Sequence, residues 1–399
     1  MLNIKVGLIG AFDMLKFKNM AKDRNKTIDA AKEKEIVGEF KINQNAKALH
    51  PDFVELKVAK IIDRSAAGAK TFVFESLDGK ALPYFRAGQY LSLKLKIGDS
   101  FVTRPYSISS APSEALKGRY EVTVKANPDG FAADWMLNNL KEGDVIESSS
   151  PLGNFYFDKY RDKENVVALA GGSGITPFLS MAGAIKDGAE NFNLTIIFGS
   201  RSEDAILFKE ELEEITKATN KVKVVHVLSN EEKEGYEHGF ITADIIKKYA
   251  PSEYSIFICG PEAMYRFAHD EVLKLNIPER LVRRELLGVT HDVSKYSDYP
   301  KDSLDKTFKI TVKQGPKETV IDAKASESVL VAIERAGIKA PSRCRSGECG
   351  WCRSRLISGE YYAPKENEGR RWADIKYNYI HPCSTFPLSD IVLEVPGEY

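Results

Sequence analysis

The chain is expected to be a multidomain protein in three folded parts: a small antiparallel β-barrel, an α/β unit on a parallel sheet, and a compact α+β unit at the carboxyl end. Three changes of rhythm predict it. Short alternating strands fill Glu55 to Phe157, and strands then alternate with amphipathic helical segments from Asn165 to Leu287. Strand patterns with a single helix resume at Thr307. Many short strands without long helices make a barrel, whereas strand–helix alternation makes a parallel sheet covered on both faces. A length of 399 residues gives room for two to four such cores.

Composition narrows the functional classes. Lys plus Arg and Asp plus Glu are equal at 57 each, so bulk charge draws the chain neither to nucleic acid nor to a membrane surface. A hydrophobic fraction of 43% and a charged fraction of 29% are those of an ordinary globular protein. Val6 to Phe12 (VGLIGAF) is too short for a secretory leader and runs into Asp13, and no other run is long enough to span a bilayer. Of the five cysteines, four fall in one motif and leave only Cys259. No disulfide framework is therefore expected, and the cytoplasm is the expected location.

Residues 1–51 read as a helical extension in which Phe12, Leu15 and Met20 share one side, followed by the charged Ala21 to Lys34. It is expected to be an arm on the main body rather than a docking or membrane helix. The barrel occupies residues 52–160, with strands such as Thr71-Phe-Val-Phe-Glu75 and Tyr120-Glu-Val-Thr-Val-Lys125 and one helix at Phe131 to Leu140. The α/β unit spans residues 161–288, with buried strands at Val166–Ala170, Leu194–Phe198, Val222–Val227 and Ser255–Cys259. Its helical segments are Asp204 to Thr216 and Pro261 to Leu275. Residues 289–305 are polar and turn-rich and read as a linker. In residues 306–399 a hairpin at Gln314-Gly-Pro precedes a helix expected to start at Ser326 and end at Gly337.

Three motifs carry chemistry. Cys344, Cys349 and Cys352 stand at C-x4-C-x2-C, with Cys383 far behind, which is the ligand set of a plant-type 2Fe–2S cluster. One tight loop presents three thiolates and another segment the fourth. Zinc sites space their ligands in matched pairs, and this arrangement is lopsided. Next, Arg104-Pro105-Tyr106-Ser107 joins a guanidinium fork suited to phosphate, a flat ring face and a hydroxyl donor. Gly130 and the Pro151-Leu-Gly turn follow it. Finally, Gly171-Gly172-Ser-Gly174-Ile-Thr176 follows a buried strand and opens a helix, where backbone N–H groups can cradle a pyrophosphate. Cys259-Gly260-Pro261 ends another parallel strand, which sets Cys259 beside Gly171.

On these motifs residues 52–288 resemble the ferredoxin–NADP reductase superfamily, and residues 306–399 resemble plant-type ferredoxins, with a β-grasp-like fold. The order matches single-chain reductases of the phthalate dioxygenase reductase type. The resemblance implies that Arg104 holds the flavin phosphates, Tyr106 covers the isoalloxazine, and Ser107 lies near its reactive nitrogen. It implies nucleotide contacts from Gly171, Gly172, Gly174 and Thr176, with Cys259, Gly260 and Pro261 at the nicotinamide and Glu285 near the flavin edge. Ser200 and Arg201 lie where relatives read the adenosine ribose, with a lean to NADPH. FAD is the expected flavin, although Ala133 stands where FAD-type members place a hydroxyl, which leaves FMN open. His381 is a neighbour of the cluster, and Trp351 is expected to shield it. The cluster region is basic, which fits a solvated charged surface or a docking site for an acidic partner.

The expected activity is NAD(P)H-dependent electron transfer: a hydride to flavin, then single electrons through the cluster to an acceptor protein, whether oxygenase, ferredoxin or reductase component. Ser107, Cys259 and Glu285 are the expected catalytic residues. Two other readings stand beside it, a stand-alone diaphorase acting on a quinone or O2, and a redox-sensing binding module signalling through the amino-terminal arm.

Overall fold

Period-two alternation builds the first lobe. In the computed structural model, which describes residues 20, 22–30, 40–127, 130–285, 287–288, 292–365 and 368–397, the chain forms two units, Met1–Leu49 and His50–Tyr399. The first unit holds helical residues 22–30 and α1 (Lys41–Leu49), while Phe12 and Leu15 lie outside the described residues.

The second unit begins with six antiparallel strands: β1 (Phe53–Arg64), β2 (Ala69–Ser76), β3 (Tyr90–Ile97), β4 (Ser100–Ser107), β5 (Arg119–Lys125) and β6 (Val145–Ser149). Their order is β4-β3-β6-β1-β2-β5, and the edge strands meet through one bridge, Ile108 to Val122, so the sheet rolls into a half-closed barrel. Leu56, Val58, Phe72, Phe74, Leu91, Leu93 and Val122 fill it. Each contributes about 1.5–3 kcal/mol by leaving water. Helix α2 (Phe131–Asn139) packs Ala132 and Met136 into the same core.

The second lobe is a six-stranded parallel sheet in the order β10-β9-β8-β7-β11-β12. Its strands are β7 (Asn165–Gly171), β8 (Asn193–Ser200), β9 (Val222–Leu228), β10 (Glu237–His238), β11 (Ser255–Cys259) and β12 (Val282–Arg284). The edge strands β10 and β12 are too short to show an apolar period, and sequence reading missed both. Because β7 is central it has no polar face. Val166, Ala168 and Ala170 pack under α3 (Thr176–Lys186) and α4 (Lys209–Ala218), while Val167 and Leu169 pack with α5 (Ala243–Tyr249) and α6 (Glu262–Leu273). The connections leave β7 in opposite directions, so the carboxyl ends of β7 and β11 flank a topological switch point.

The third lobe is a mixed sheet in the order β14-β13-β19-β15-β17, with the pair β16–β18 beside it. The strands are β13 (Thr307–Gln314), β14 (Lys317–Lys324), β15 (Ser354–Ser358), β16 (Tyr361–Tyr362), β17 (Tyr379–Ile380), β18 (Phe386–Pro387) and β19 (Ile391–Glu394). Helix α7 (Val329–Arg335) lays Val329, Ala332 and Ile333 on it. Its cap is Ser328 rather than the expected Ser326, because the Ser328 hydroxyl accepts the Val331 N–H at 3.4 Å. A short helix, α8 (Trp372–Lys376), follows the cluster loop.

The stretch expected as a linker is a packed strap in its described part. Tyr296 and Tyr299 are buried against Tyr362 and Phe386, and Tyr299 donates to the Ala325 carbonyl at 3.0 Å. Further bonds seat the third lobe. The Ser92 hydroxyl donates to the Arg343 carbonyl at 3.1 Å, that of Ser100 to the Glu334 carbonyl at 3.2 Å, and the Gly288 N–H to the Cys344 carbonyl at 3.1 Å. The Glu334 carboxylate takes both Arg345 guanidinium nitrogens, at 2.5 and 2.9 Å, and lies 3.9 Å from Arg104 of β4. All three groups are largely buried. Removing one partner of a buried pair costs about 3–5 kcal/mol, because the other charge is left unpaired. Glu334→Ala is therefore expected to destabilise the third lobe by about that amount in denaturant titration followed at the cluster chromophore, and Glu334→Gln, which keeps an acceptor, by less.

Candidate functional site

The glycines at the switch point are set by backbone proximity. A Cβ on Gly174 would sit 2.1 Å from the Cys259 carbonyl oxygen and 2.6 Å from the Gly260 nitrogen, and one on Gly171 would meet Met264 at 2.4 Å. The two turns therefore interlock at the mouth of the sheet, with Gly172 at a positive φ of 52°. Thr176 opens α3 and returns its hydroxyl to the Ser173 carbonyl at 2.9 Å. Ser200 is buried with its hydroxyl unpartnered among the described residues. Lys125, which sequence reading missed, reaches this mouth: its amine lies 3.6 Å from where a Gly172 Cβ would stand. Burial and the Arg201 cation lower its pKa, so two cations share a region suited to a phosphate.

Arg104, Pro105, Tyr106 and Ser107 end β4 opposite Leu93, Ser92, Leu91 and Tyr90. Burial, then the Arg345 cation, pull Arg104 down to about 10 despite Glu334. Two guanidiniums around one carboxylate leave this pocket short of negative charge, which fits a flavin phosphate. Burial pushes Tyr106 up to about 12, so it presents a neutral ring. Gly130 caps α2 without a side-chain bond. Gly153, at φ 101°, stands so close to Tyr90 that a Cβ would meet the ring at 2.8 Å.

Cys259 and Glu285 come together through a residue the motifs did not reveal. The Tyr265 hydroxyl hydrogen-bonds the Glu285 carbonyl and accepts the Gly260 N–H at 3.2 Å. Its position four residues after Pro261 was the available signal, since the first turn of a helix folds back over the residues before it. Burial, then Glu285, push the Cys259 thiol up. The Glu285 carboxyl is buried, with Oε2 unpartnered among the described residues. Burial, then Glu348 and Cys344, raise its pKa well above the usual range.

The cluster loop meets both other lobes here. Burial, then Cys344, Cys349 and Glu285, raise the Tyr90 phenol, and the Ser92 and Gly288 bonds to the Arg343 and Cys344 carbonyls bring β3 and the chain after β12 to the cysteine loop. No local pattern in β3 marks Tyr90 for this role. In the loop the Cys352 and Cys383 sulfurs are 3.4 Å apart. The Cys349 N–H points at Cys344 Sγ at 3.4 Å, and that of Trp351 at Cys349 Sγ at 3.5 Å. Hydrogen bonds from Cys349 and Cys383 hold Cys344 low, while Cys349 and Cys383 are pushed up. Thiols this close cannot all ionise without a cation among them, and N–H groups aimed at sulfur suit an iron–sulfur cluster. Positive φ at Arg345 (60°), Gly347 (86°) and Gly350 (69°) bends the loop. His381 Nδ1 bonds the Gly347 carbonyl at 2.5 Å, its Nε2 buried and unpartnered among the described residues. Trp351 is 37% exposed and stacks under the Arg343 guanidinium at 3.4 Å, which makes it a partial shield.

Comparison with known proteins follows the same division. Residues 57–157 match the oxidoreductase FAD-binding domain, residues 168–270 the oxidoreductase NAD-binding domain, and residues 312–388 the 2Fe-2S iron-sulfur cluster binding domain. The chain is 28% identical over 341 residues to the glycine betaine monooxygenase reductase subunit of Chromohalobacter salexigens, covering 82% of this chain and 91% of that one. It is 29% identical over 356 residues to the ferredoxin reductase component of 3-ketosteroid-9-alpha-monooxygenase of Mycolicibacterium smegmatis, covering 85% and 96%. Among solved structures, phthalate dioxygenase reductase superposes with a TM-score of 0.61 at 26% identity, covering 86% and 98%.

Two outcomes are expected. Gly174→Ala forces the interlocked turns apart at a cost of about 1–3 kcal/mol. It should weaken NAD(P)H binding at least tenfold in titration of the oxidised protein, with the flavin and cluster spectra kept. For Glu285, the folded state keeps a proton that the unfolded chain has lost between the ordinary carboxyl pKa and the raised one. Stability therefore falls as pH rises through that window, by up to about 1.4 kcal/mol per unit. Glu285→Gln cannot titrate, and its urea midpoints from pH 5 upward should lack that slope.

Proposed function

Because the chain belongs to the ferredoxin–NADP reductase superfamily and carries a carboxyl-terminal plant-type 2Fe–2S domain, we propose that it is the reductase component that supplies single electrons to an oxygenase. When bound, the flavin accepts a hydride from NAD(P)H and the cluster relays its electrons one at a time. The observation that carries this reading is the shared junction. The barrel and the nicotinamide lobe both bond the cysteine loop directly, the Ser92 hydroxyl to the Arg343 carbonyl at 3.1 Å and the Gly288 N–H to the Cys344 carbonyl at 3.1 Å.

The chain's own residues position and insulate. Gly171, Gly172, Gly174 and Thr176 would seat the dinucleotide, with Lys125 and Arg201 on its phosphates. Arg104 would hold the flavin phosphate, and Tyr106 and Ser107 would lie along the ring. Cys259 and Tyr265 pack the floor against which a nicotinamide would lie. The buried Glu285 carboxyl holds a proton at the flavin edge, while Tyr90 excludes water. Cys344, Cys349, Cys352 and Cys383 would ligate iron. No helix among the described residues is long and apolar enough to cross a membrane. Five free cysteines favour a reducing compartment, for which we propose the cytoplasm.

Anaerobically purified protein is expected to be coloured and to oxidise NAD(P)H steadily with ferricyanide, which a silent sensor would not do. Cys349→Ser should cut cytochrome c reduction at least 100-fold while ferricyanide reduction stays within about twofold, on the scale of losing one required relay. Retention of cytochrome c reduction would favour the diaphorase reading.

A further inference from the structure

The cysteine region carries more arginine and lysine than acid, and the structure separates the cations that serve the fold from those that face outward. Arg345 is spent inside on Glu334, Arg370 is paired with Glu368, and Arg343 lies on Trp351 beside Asp52. Arg353, Arg355, Arg371 and Lys376 remain partly or fully exposed. Their partners are the buried Asp374, bonded by Arg353 at 3.1 Å and Arg371 at 3.2 Å, and the exposed Glu394, 3.8 Å from Arg355. Among the described residues from 341 to 376, Arg355, Lys365, Arg371 and Lys376 are exposed and Arg353 is partly exposed, against the exposed acids Glu348, Glu360 and Glu368.

These charges frame an apolar surface. Helix α8 turns Trp372, Ile375 and Tyr377 to solvent at 73%, 48% and 62% exposure, and the Lys376 amine lies 4.7 Å from the Trp372 ring and 5.6 Å from the Tyr377 ring. Trp, Tyr and Arg are the side chains that most often dominate the binding energy of protein interfaces. The patch borders the electron carrier. Gly369 is packed so tightly on the cysteine loop that a Cβ there would stand 2.6 Å from the Gly347 carbonyl oxygen. Arg353, bonded to Asp374 of α8, directly follows the ligand position Cys352. The loop itself reaches solvent at Glu348 and Cys349.

We propose that the face formed by Trp372, Ile375 and Tyr377 within Arg353, Arg355, Arg371 and Lys376 docks an electron-accepting protein that presents an acidic surface around its own redox centre. The inference rests on the serial path proposed above. Complementary charge steers such a partner to the cluster loop, and the aromatic centre holds it there. A partner seated on α8 places its redox centre against the exposed edge of the loop, where transfer is short.

The test uses the holoenzyme with two haem proteins of opposite surface charge, acidic cytochrome b5 and basic cytochrome c. Reduction of cytochrome b5 is expected to fall at least tenfold from low to high ionic strength, as for a steered encounter. Arg371→Glu with Lys376→Glu, and separately Trp372→Ala, should each lower it about tenfold at low ionic strength. Ferricyanide turnover and the thermal midpoint should match wild type, and Lys217→Glu on the nicotinamide lobe serves as the charge control. Carbodiimide cross-links to cytochrome b5 should map to Lys376. The proposal is overturned if neither variant slows cytochrome b5, if cross-links map to another lobe, or if the variants alter only self-association in sedimentation. Cys349→Ser separates the two readings. If it still reduces both cytochromes, the serial path fails. If it reduces neither while the α8 variants stay fast, the path stands and the docking face falls.

Discussion

One buried carboxylate does much to set how the cluster lobe is held. Glu334 sits at the end of α7 with Arg345 chelating both oxygens and Arg104 close by. In a low-dielectric interior such a group is stable only with its partners in place, so its charge specifies geometry more than it adds net stability. It also offsets a local cost. Arg345 occupies the left-handed region at φ 60°, which disfavours a non-glycine residue by about 1–2 kcal/mol. The same carboxylate therefore holds the cysteine loop through Arg345 and lies 3.9 Å from Arg104 of β4.

A second constraint operates where the strand order reverses. A buried strand such as β7 offers chemistry only at its carboxyl end, because both faces are covered by helices. The Gly171–Gly174 and Cys259–Pro261 turns approach so closely that a side chain at Gly174 would collide with the Cys259 backbone. Tyr265 then ties the second turn to Glu285. The two turns and the Glu285 segment are brought together by backbone fit more than by clustered polar side chains.

Much of this was legible residue by residue. The cysteine spacing, the Arg-Pro-Tyr-Ser segment and the glycine turn are local, since each works through backbone shape or through side chains held within a few positions of one another. Central strands announced themselves by apolar runs, whereas the two- and three-residue edge strands had no room for a pattern. The cap of α7 was misread by two residues because Ser326 and Ser328 both suit the role, and only the bond to Val331 distinguishes them. The strap carrying Tyr296 and Tyr299 read as linker because its composition is polar, yet its tyrosines are buried by strands that come some sixty to ninety residues later.

The order of the three lobes, the C-x4-C-x2-C spacing with its distant fourth cysteine and the positions of the glycine turns were determined by the sequence alone, because spacing and periodicity are properties of neighbouring residues. Tertiary structure decided which distant residues meet: Ser92 with Arg343, Tyr265 with Glu285, Lys125 with Gly172, Glu334 with two arginines. It also decided which cations are consumed inside and which face solvent. Such pairings depend on how separate lobes pack, and packing across tens or hundreds of residues leaves no periodic trace in the chain.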